Sequence, residues 1–327
     1  MRAVAPGRVN LIGDHTDYTG GLVFPMAIDR WTTIDFEPSD QIHLTSADAE
    51  GVVDLDPRGG ATTAAVTGWS RYVTAVIAEM ESVRGIRGTV STTLPVGAGL
   101  SSSAALEIAL ALALGCTLPP LDMALLAQRA ERRATGVPTG IMDQLCITTA
   151  QDGCATMIDC RENVVTHVEI PDSTEIRVMF IAHRTLEGSE YGQRAAECAS
   201  VESMIGPLRD AHRDSLVGIA DNNLRARARH VISENERVTA FARALRAADL
   251  ETAGALMTES HRSLSSDFAV STEQMDEAVR SAVGTSGVFG ARMTGGGFGG
   301  CAVALCEPDS PLPWWPVRPV GAAHLEP

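Results

Sequence analysis

The sequence predicts a mixed α+β protein, built as two lobes or as one large core with an interleaved second lobe. Three observations predict it. The chain has 327 residues, 45% of them hydrophobic and 20% charged, enough to bury more than one small core. Runs that alternate apolar and polar residues are interspersed with runs of helical period, without internal repeats. Glycine clusters near residues 13–21, 97–99 and 295–300 lie between such runs rather than in linkers.

Taken in order, Val9–Ile12 and Leu22–Phe24 read as short strands flanking a polar, glycine-bounded loop. Asp14, His15, Thr16 and Asp17 crowd that loop. Short donors and acceptors on a turn suit the grip of adjacent hydroxyls on a polyol; a solvated turn, or a metal site on His15 and the two aspartates, would use the same residues. A helix is expected over 69–82 and a strand over 88–93, whereas the loop at 58–63 carries no readable signal.

Next comes Gly97-Ala98-Gly99-Leu100-Ser101-Ser102-Ser103, running into a helix-forming stretch over 104–114. Glycines one residue apart bare their amides, serine offers a cap, and the helix N-terminus adds its dipole. Together they form an anion site suited to phosphate, though a glycine turn before a buried helix has the same residues. It is not a Walker A loop, because the lysine of that motif is missing. Pro119-Pro120 breaks the chain before a second helix over 122–135, which carries Glu131. Asp143 follows a Gly/Pro-rich loop and reads either as a helix N-cap or as a proton acceptor in phosphoryl transfer.

Strands are expected at 154–159, 164–170 and 176–182, and helices at 192–204, 225–232, 238–246 and 249–264. Arg225, Arg227 and Arg229 read as a solvated helix face. Five glycines in Gly295–Gly300 lie between strand-like runs and fit a loop passing close to a ligand or another loop.

Composition narrows the function. A net charge of −15 argues against a nucleic-acid partner, and no basic amphipathic stretch favours a membrane surface. The chain has no lysine, so all 26 basic residues are arginine. That removes lysine as base, nucleophile or phosphate ligand. The first residues hold no apolar segment of signal-peptide length, and the longest apolar run, Ile108–Leu114, is too short to span a bilayer. Seven cysteines without CxxC spacing fit neither a disulfide framework nor a zinc site. A cytoplasmic location with reduced thiols is expected.

Side by side, three motifs resemble the GHMP-superfamily kinases, and among them galactokinases. They are Gly7-Arg-Val-Asn-Leu-Ile-Gly-Asp-His-Thr-Asp-Tyr18, Gly97–Ser103 and Arg292-Met-Thr-Gly-Gly-Gly-Phe-Gly-Gly-Cys301. Gly140-Ile-Met-Asp-Gln144 and Ser189-Glu-Tyr191 also match, so the resemblance runs from about residue 3 to 306. It implies a two-lobed α+β GHMP kinase fold with the active site in the interlobe cleft. An N-terminal lobe, 1–170, would hold the sugar loop, the phosphate loop and the catalytic aspartate; a C-terminal lobe, 171–327, would hold the third motif.

The resemblance further implies ATP phosphate on Gly97 to Ser103 and Mg2+ on Ser103 and Glu131. Asp143 would be the base that takes the anomeric proton, with Arg8 stabilising the transferring phosphoryl group. Asp14, His15, Asp17 and Tyr191 would grip the sugar. The implied partners are a small-molecule sugar and ATP, with no nucleic acid and no membrane, in a monomer or weak homodimer. The expected activity is ATP-dependent phosphorylation of the C1 hydroxyl of a free sugar. A non-catalytic sugar and ATP sensor is an alternative of another class, and other GHMP kinases are disfavoured by the sugar-gripping cluster.

Three departures bear on the sugar. Asp14 stands where galactokinases carry Glu, which implies a looser contact near C6. Val178–Arg184 replaces a polar run, placing Arg184 near the sugar end, and Pro311-Leu-Pro-Trp-Trp-Pro316 replaces the closing helix and strand. These departures make a C6-extended or phosphorylated sugar, a heptose or octose, the alternative substrate.

Overall fold

The computed structural model describes residues 1–57, 68–183 and 190–327. Arg184, Ser189 and the loop at 58–63 lie outside them. The elements run β1 (Arg2–Asn10), β2 (Leu22–Val23), β3 (Pro25–Pro38), β4 (Ile42–Ser46), β5 (Val52–Leu55), α1 (Ser70–Glu79), β6 (Ile86–Thr92), α2 (Ser102–Ala113), α3 (Pro120–Thr135) and α4 (Met142–Thr149). Then follow β7 (Cys154–Asp159), β8 (Val164–Glu169), β9 (Glu175–Ala182), α5 (Glu190–Ile205), α6 (Asn222–Arg246), α7 (Leu250–Ser266), α8 (Glu273–Val283), β10 (Val288–Thr294), β11 (Gly300–Cys306), β12 (Trp315–Val317) and β13 (His324–Glu326).

The strands form three sheets, ordered β13-β1-β3-β6-β4-β5, β10-β11-β9-β12 and β2-β7-β8. All pairings are antiparallel except β4 with β6. Central β3 shows why a strand forms there: Thr32, Ile34 and Phe36 are buried while Asp35 and Glu37 face solvent, the period of a half-buried strand. Apart from Glu107, helix α2 is apolar on every face from Ala104 onward, and it is buried from Ala104 to Ala113, which fits a central helix. It packs on β1 and β3 and against α1, α3 and α4, and each leucine or isoleucine it buries contributes about 1.5–3 kcal/mol. That burial fixes its N-terminus, and with it the glycine loop at 97–103.

Sequence punctuation explains most helix ends. Pro120 opens α3, and Gly136 closes it in the left-handed conformation. Asp221, Asp249 and Thr272 cap α6, α7 and α8 through backbone N–H groups. Helix α7 lies so close to β10 that a Cβ at Gly290 would stand 1.9 Å from the Gly254 carbonyl oxygen.

The structure corrects several expectations. The segments at 225–232 and 238–246 are one helix, α6. Arg227 is not part of a solvated face: it is buried and donates to Glu197 Oε2 and to the Asp267 carbonyl. Only Arg229 of the trio is exposed. Asp143 does not cap α4; it lies in that helix's first turn. The chain's last segment is ordered as a strap. Its strand β12 pairs with β9, Pro319 bridges to Ile28, and β13 pairs with β1, so the strap ties the four-stranded sheet to the six-stranded one.

Candidate active site

The N-termini of α2, α4 and α5, the loop after β1 and the glycine loop after β10 converge on one cavity of about 270 Å³. At its floor Arg8, on β1, meets Asp143, at the start of α4. Arg8 Nε donates to Asp143 Oδ1 at 2.8 Å, with Nη2 2.7 Å from the same oxygen, and Nη1 donates to the Gly99 carbonyl at 2.7 Å. Burial alone would lower the Arg8 pKa, but the charges of Asp143 and Asp14 outweigh it and the pKa is raised. The other carboxylate oxygen, Oδ2, accepts the Ser101 hydroxyl at 2.5 Å. The Arg8 N–H donates to the Leu100 carbonyl, which locks the phosphate loop to β1.

The loop after β1 makes one wall. His15 holds φ +66°, a strained conformation for a residue with a Cβ. Its Nδ1 lies 3.0 Å from the Tyr18 hydroxyl, and its ring packs on Tyr191 and Phe268. Buried His230 supports the loop from below. A carbonyl can only accept, so Nε2–H of His230 donates to the Asp14 carbonyl at 3.1 Å. The hydroxyl of Thr16 is spent on the Gly13 and Leu22 carbonyls within the loop.

Asp14 is nearly fully buried. Its Oδ2 lies 2.7 Å from Arg292 Nη2, and its Oδ1 accepts the Gly295 N–H at 3.0 Å. Burial raises its pKa despite Arg292. Asp17 is pushed up to about 7, first by burial and then by the neighbouring charge of Asp143. Its carboxylate lies against Gly140, where a Cβ would stand 1.9 Å from Oδ2. Only glycine admits both.

The glycine loop at 97–103 makes the opposite wall. Gly97 and Gly99 both have positive φ, and Gly97, Gly99, Ser101, Ser102 and Ser103 line the cavity. Ala98 and Leu100 do not. Their side chains are buried in the hydrophobic core, so they offer only backbone. Ser103 Oγ donates to Glu131 Oε1 at 2.8 Å, and Gln144 Nε2 donates to Oε2 at 2.7 Å. Burial, with Asp143 nearby, raises the Glu131 pKa. A buried carboxylate whose hydrogen-bond donors are a hydroxyl and an amide, beside a phosphate loop, fits a hard divalent cation. Among the described residues no group of three or more His, Cys, Asp or Glu could hold a metal.

The cavity thus brings together Arg8, Asp14, His15, Asp17, Tyr191, Asp143, Glu131 and the loop serines. Sequence reasoning missed Arg71, Tyr72 and Gln144, which also line it. Gln144 directly follows Asp143 and could have been read from its motif. Arg71 and Tyr72 sit in α1 without any pattern that marks them.

The GHMP kinase N-terminal domain matches residues 71–151 and the GHMP kinase C-terminal domain matches residues 241–312; the fold is that of a GHMP kinase. The galactokinase galactose-binding signature covers residues 1–38. Over 330 residues the chain is 41% identical to the galactokinase of Roseiflexus sp. (strain RS-1), covering 94% of this chain and 83% of that protein. It is 39% identical to the galactokinase of Mycobacterium tuberculosis (strain ATCC 25618 / H37Rv), covering 93% and 88%. The crystal structure of Lactococcus lactis galactokinase complexed with galactose superimposes with a TM-score of 0.90 at 29% identity, covering 99% of this chain and 94% of that one. The chain belongs to the galactokinase family and is a galactokinase-like sugar kinase. Among the described residues no helix is long and apolar enough to cross a membrane, and none of the seven cysteines forms a disulfide.

Proposed function

We propose that this protein transfers the γ-phosphoryl group of ATP to the anomeric hydroxyl of galactose. The observation that carries the reading is the Arg8–Asp143 pair at the cavity floor, between the sugar loop and the phosphate loop. Asp143 accepts the proton of the sugar's O1 as that oxygen attacks phosphorus. Arg8, fixed by Asp143 and the Gly99 carbonyl, sets a permanent positive charge beside the reacting centre. Backbone N–H groups of residues 97–103 and the N-terminus of α2 cradle the nucleotide phosphates. Asp14, His15, Asp17 and Tyr191 orient the sugar, so catalysis is positioning plus charge neutralisation. Ser103 and Glu131 would hold Mg2+. When bound, the ion supplies positive charge to the phosphate oxygens.

Arg8, Ser103, Glu131 and Asp143 line one cavity, which supports an enzyme over a sensor. A second reading, a sugar extended or phosphorylated beyond C6, is favoured by Asp14. Its carboxylate is engaged by Arg292 and the Gly295 N–H and is a methylene shorter than the glutamate of related enzymes. ADP release from ATP and Mg2+ with galactose, its deoxy and amino variants, and heptose or octose phosphates separates the two. Fast turnover of galactose supports the first reading. Turnover confined to the longer sugars overturns it in favour of the second.

A further inference from the structure

We propose that Ser101 is a positioning residue for Asp143, presenting Oδ2 as the oxygen that receives the sugar's proton. The inference rests on Asp143 being the base. Ser101 sits at the N-cap of α2 with φ +62° and ψ +41°. That left-handed conformation strains a residue with a Cβ and would suit glycine better. An N-cap serine ordinarily turns its oxygen to the helix N–H groups. This one makes no cap bond. Its hydroxyl points out of the helix and donates to Asp143 Oδ2 at 2.5 Å, with the residue nearly fully buried.

The two carboxylate oxygens are therefore unequal. Oδ1 faces two nitrogens of Arg8, Nε at 2.8 Å and Nη2 at 2.7 Å, so the guanidinium charge holds the electron density of that oxygen. Oδ2 takes one donor, Ser101, and keeps capacity for a second. The anomeric hydroxyl fills that place. As the O1–H bond breaks, an Oδ2–H bond forms; O1 bonds to the γ-phosphorus while the phosphorus–oxygen bond to ADP breaks. Ser101 gains and loses no proton. With one donor on each oxygen's side, the carboxylate cannot rotate about its Cβ–Cγ bond, and its plane is set before the sugar arrives.

The rival assignment makes the Ser101 hydroxyl a phosphate ligand, as its place in the glycine loop would lead one to expect. The two separate in a double-mutant cycle of Ser101→Gly with Asp143→Asn, reading kcat, KM for galactose, KM for ATP and unfolding temperature. Glycine suits the backbone at 101 and removes Cβ and hydroxyl together; Ser101→Ala removes only the hydroxyl and guards against a change in loop freedom. We expect Ser101→Gly to fold with an unchanged or higher unfolding temperature. Its KM for ATP should stay within about twofold and its kcat should fall roughly ten- to hundredfold, the size for a hydrogen bond to a charged group. In the Asp143→Asn background, followed over hours, the same change should cost less than about twofold. A raised KM for ATP with unchanged kcat overturns the inference, as does an equal loss in both backgrounds. Wild-type turnover by Ser101→Gly, with Asp143→Asn inactive, removes this inference and leaves the base assignment standing. Full turnover by Asp143→Asn removes both.

Discussion

Arg8 and Asp143 lie 135 residues apart in sequence, yet two nitrogens of the arginine converge on one oxygen of the aspartate, at 2.8 and 2.7 Å. The arginine is 3% exposed and the aspartate side chain 24%, so the charge pair is screened little on the arginine side and open to a ligand on the aspartate side. In the proposed reaction the guanidinium keeps its charge while the carboxylate takes up the sugar's proton.

Replacing Arg8 by lysine keeps a charge but loses the fork that holds both Asp143 and the Gly99 carbonyl. Arg8→Lys is expected to lower kcat by about a hundredfold or more, the scale of losing one preorganised electrostatic donor. Galactose affinity measured by calorimetry should change far less than kcat.

Asp17 makes stability depend on pH. Its pKa rises from 3.8 to about 7 on folding, so between those values the native state binds protons that the unfolded chain does not. Stability therefore falls as pH rises from about 4 to 7 and is level above that. Burial raises Asp14, Glu131 and Glu107 in the same direction. Asp17→Asn removes one such group. Its unfolding temperature should exceed that of the parent at pH 8, with the gap closing as pH approaches 4. A gap independent of pH would contradict this.

Gly140 packs against Asp17, one of the residues proposed to hold the sugar. A methyl group there meets Asp17 Oδ2, and the carboxylate must move away. Gly140→Ala is expected to raise KM for the sugar by about tenfold, as a hydrogen-bonding pocket does when a partner is displaced. KM for ATP should be nearly unchanged. Equal shifts in both would point to general disruption of α4.

Glu131 sets function against stability. With its charge disfavoured by burial, Glu131→Gln should raise the unfolding temperature in the absence of Mg2+. The same variant should need roughly tenfold or more Mg2+ for half-maximal rate. Titration of the metal in activity and melting assays reads both effects.

Arg292 is fully buried between Asp14 and Glu234, with Nη2 at 2.7 and 3.7 Å from their carboxylates. Truncation leaves buried Asp14 without its paired cation, while Glu234 keeps Arg237 and the Ser260 hydroxyl. Arg292→Ala is expected to cost about 3–5 kcal/mol of stability in denaturant unfolding.

What the sequence shows well is what lies contiguous in it. The sugar loop, the phosphate loop and the third glycine loop each announce themselves through glycine spacing and short polar side chains. Burial of α2 follows from its apolar residues, above all the run Ile108–Leu114. What it conceals are partners brought in from afar. No pattern near Arg227 tells that Glu197 and the Asp267 carbonyl await it, and nothing near Ser101 tells that its hydroxyl serves Asp143 instead of the helix. Edge strands of three residues, β12 and β13, lack the length for a periodic signal, since pairing with β9 and β1 alone defines them. Ala98 and Leu100 sit in a motif whose backbone faces the cavity while their side chains fill the core.

The central claim is that Asp143 is the base of a galactose 1-kinase, and the most direct test compares the parent with Asp143→Asn. ADP release with galactose and Mg2+ would be measured beside calorimetric binding of galactose and of ATP. The account expects galactose-dependent turnover in the parent, a fall of at least about a thousandfold in the variant, and binding of both ligands within roughly a factor of ten. Turnover of galactose by the variant at the parent's rate would contradict it.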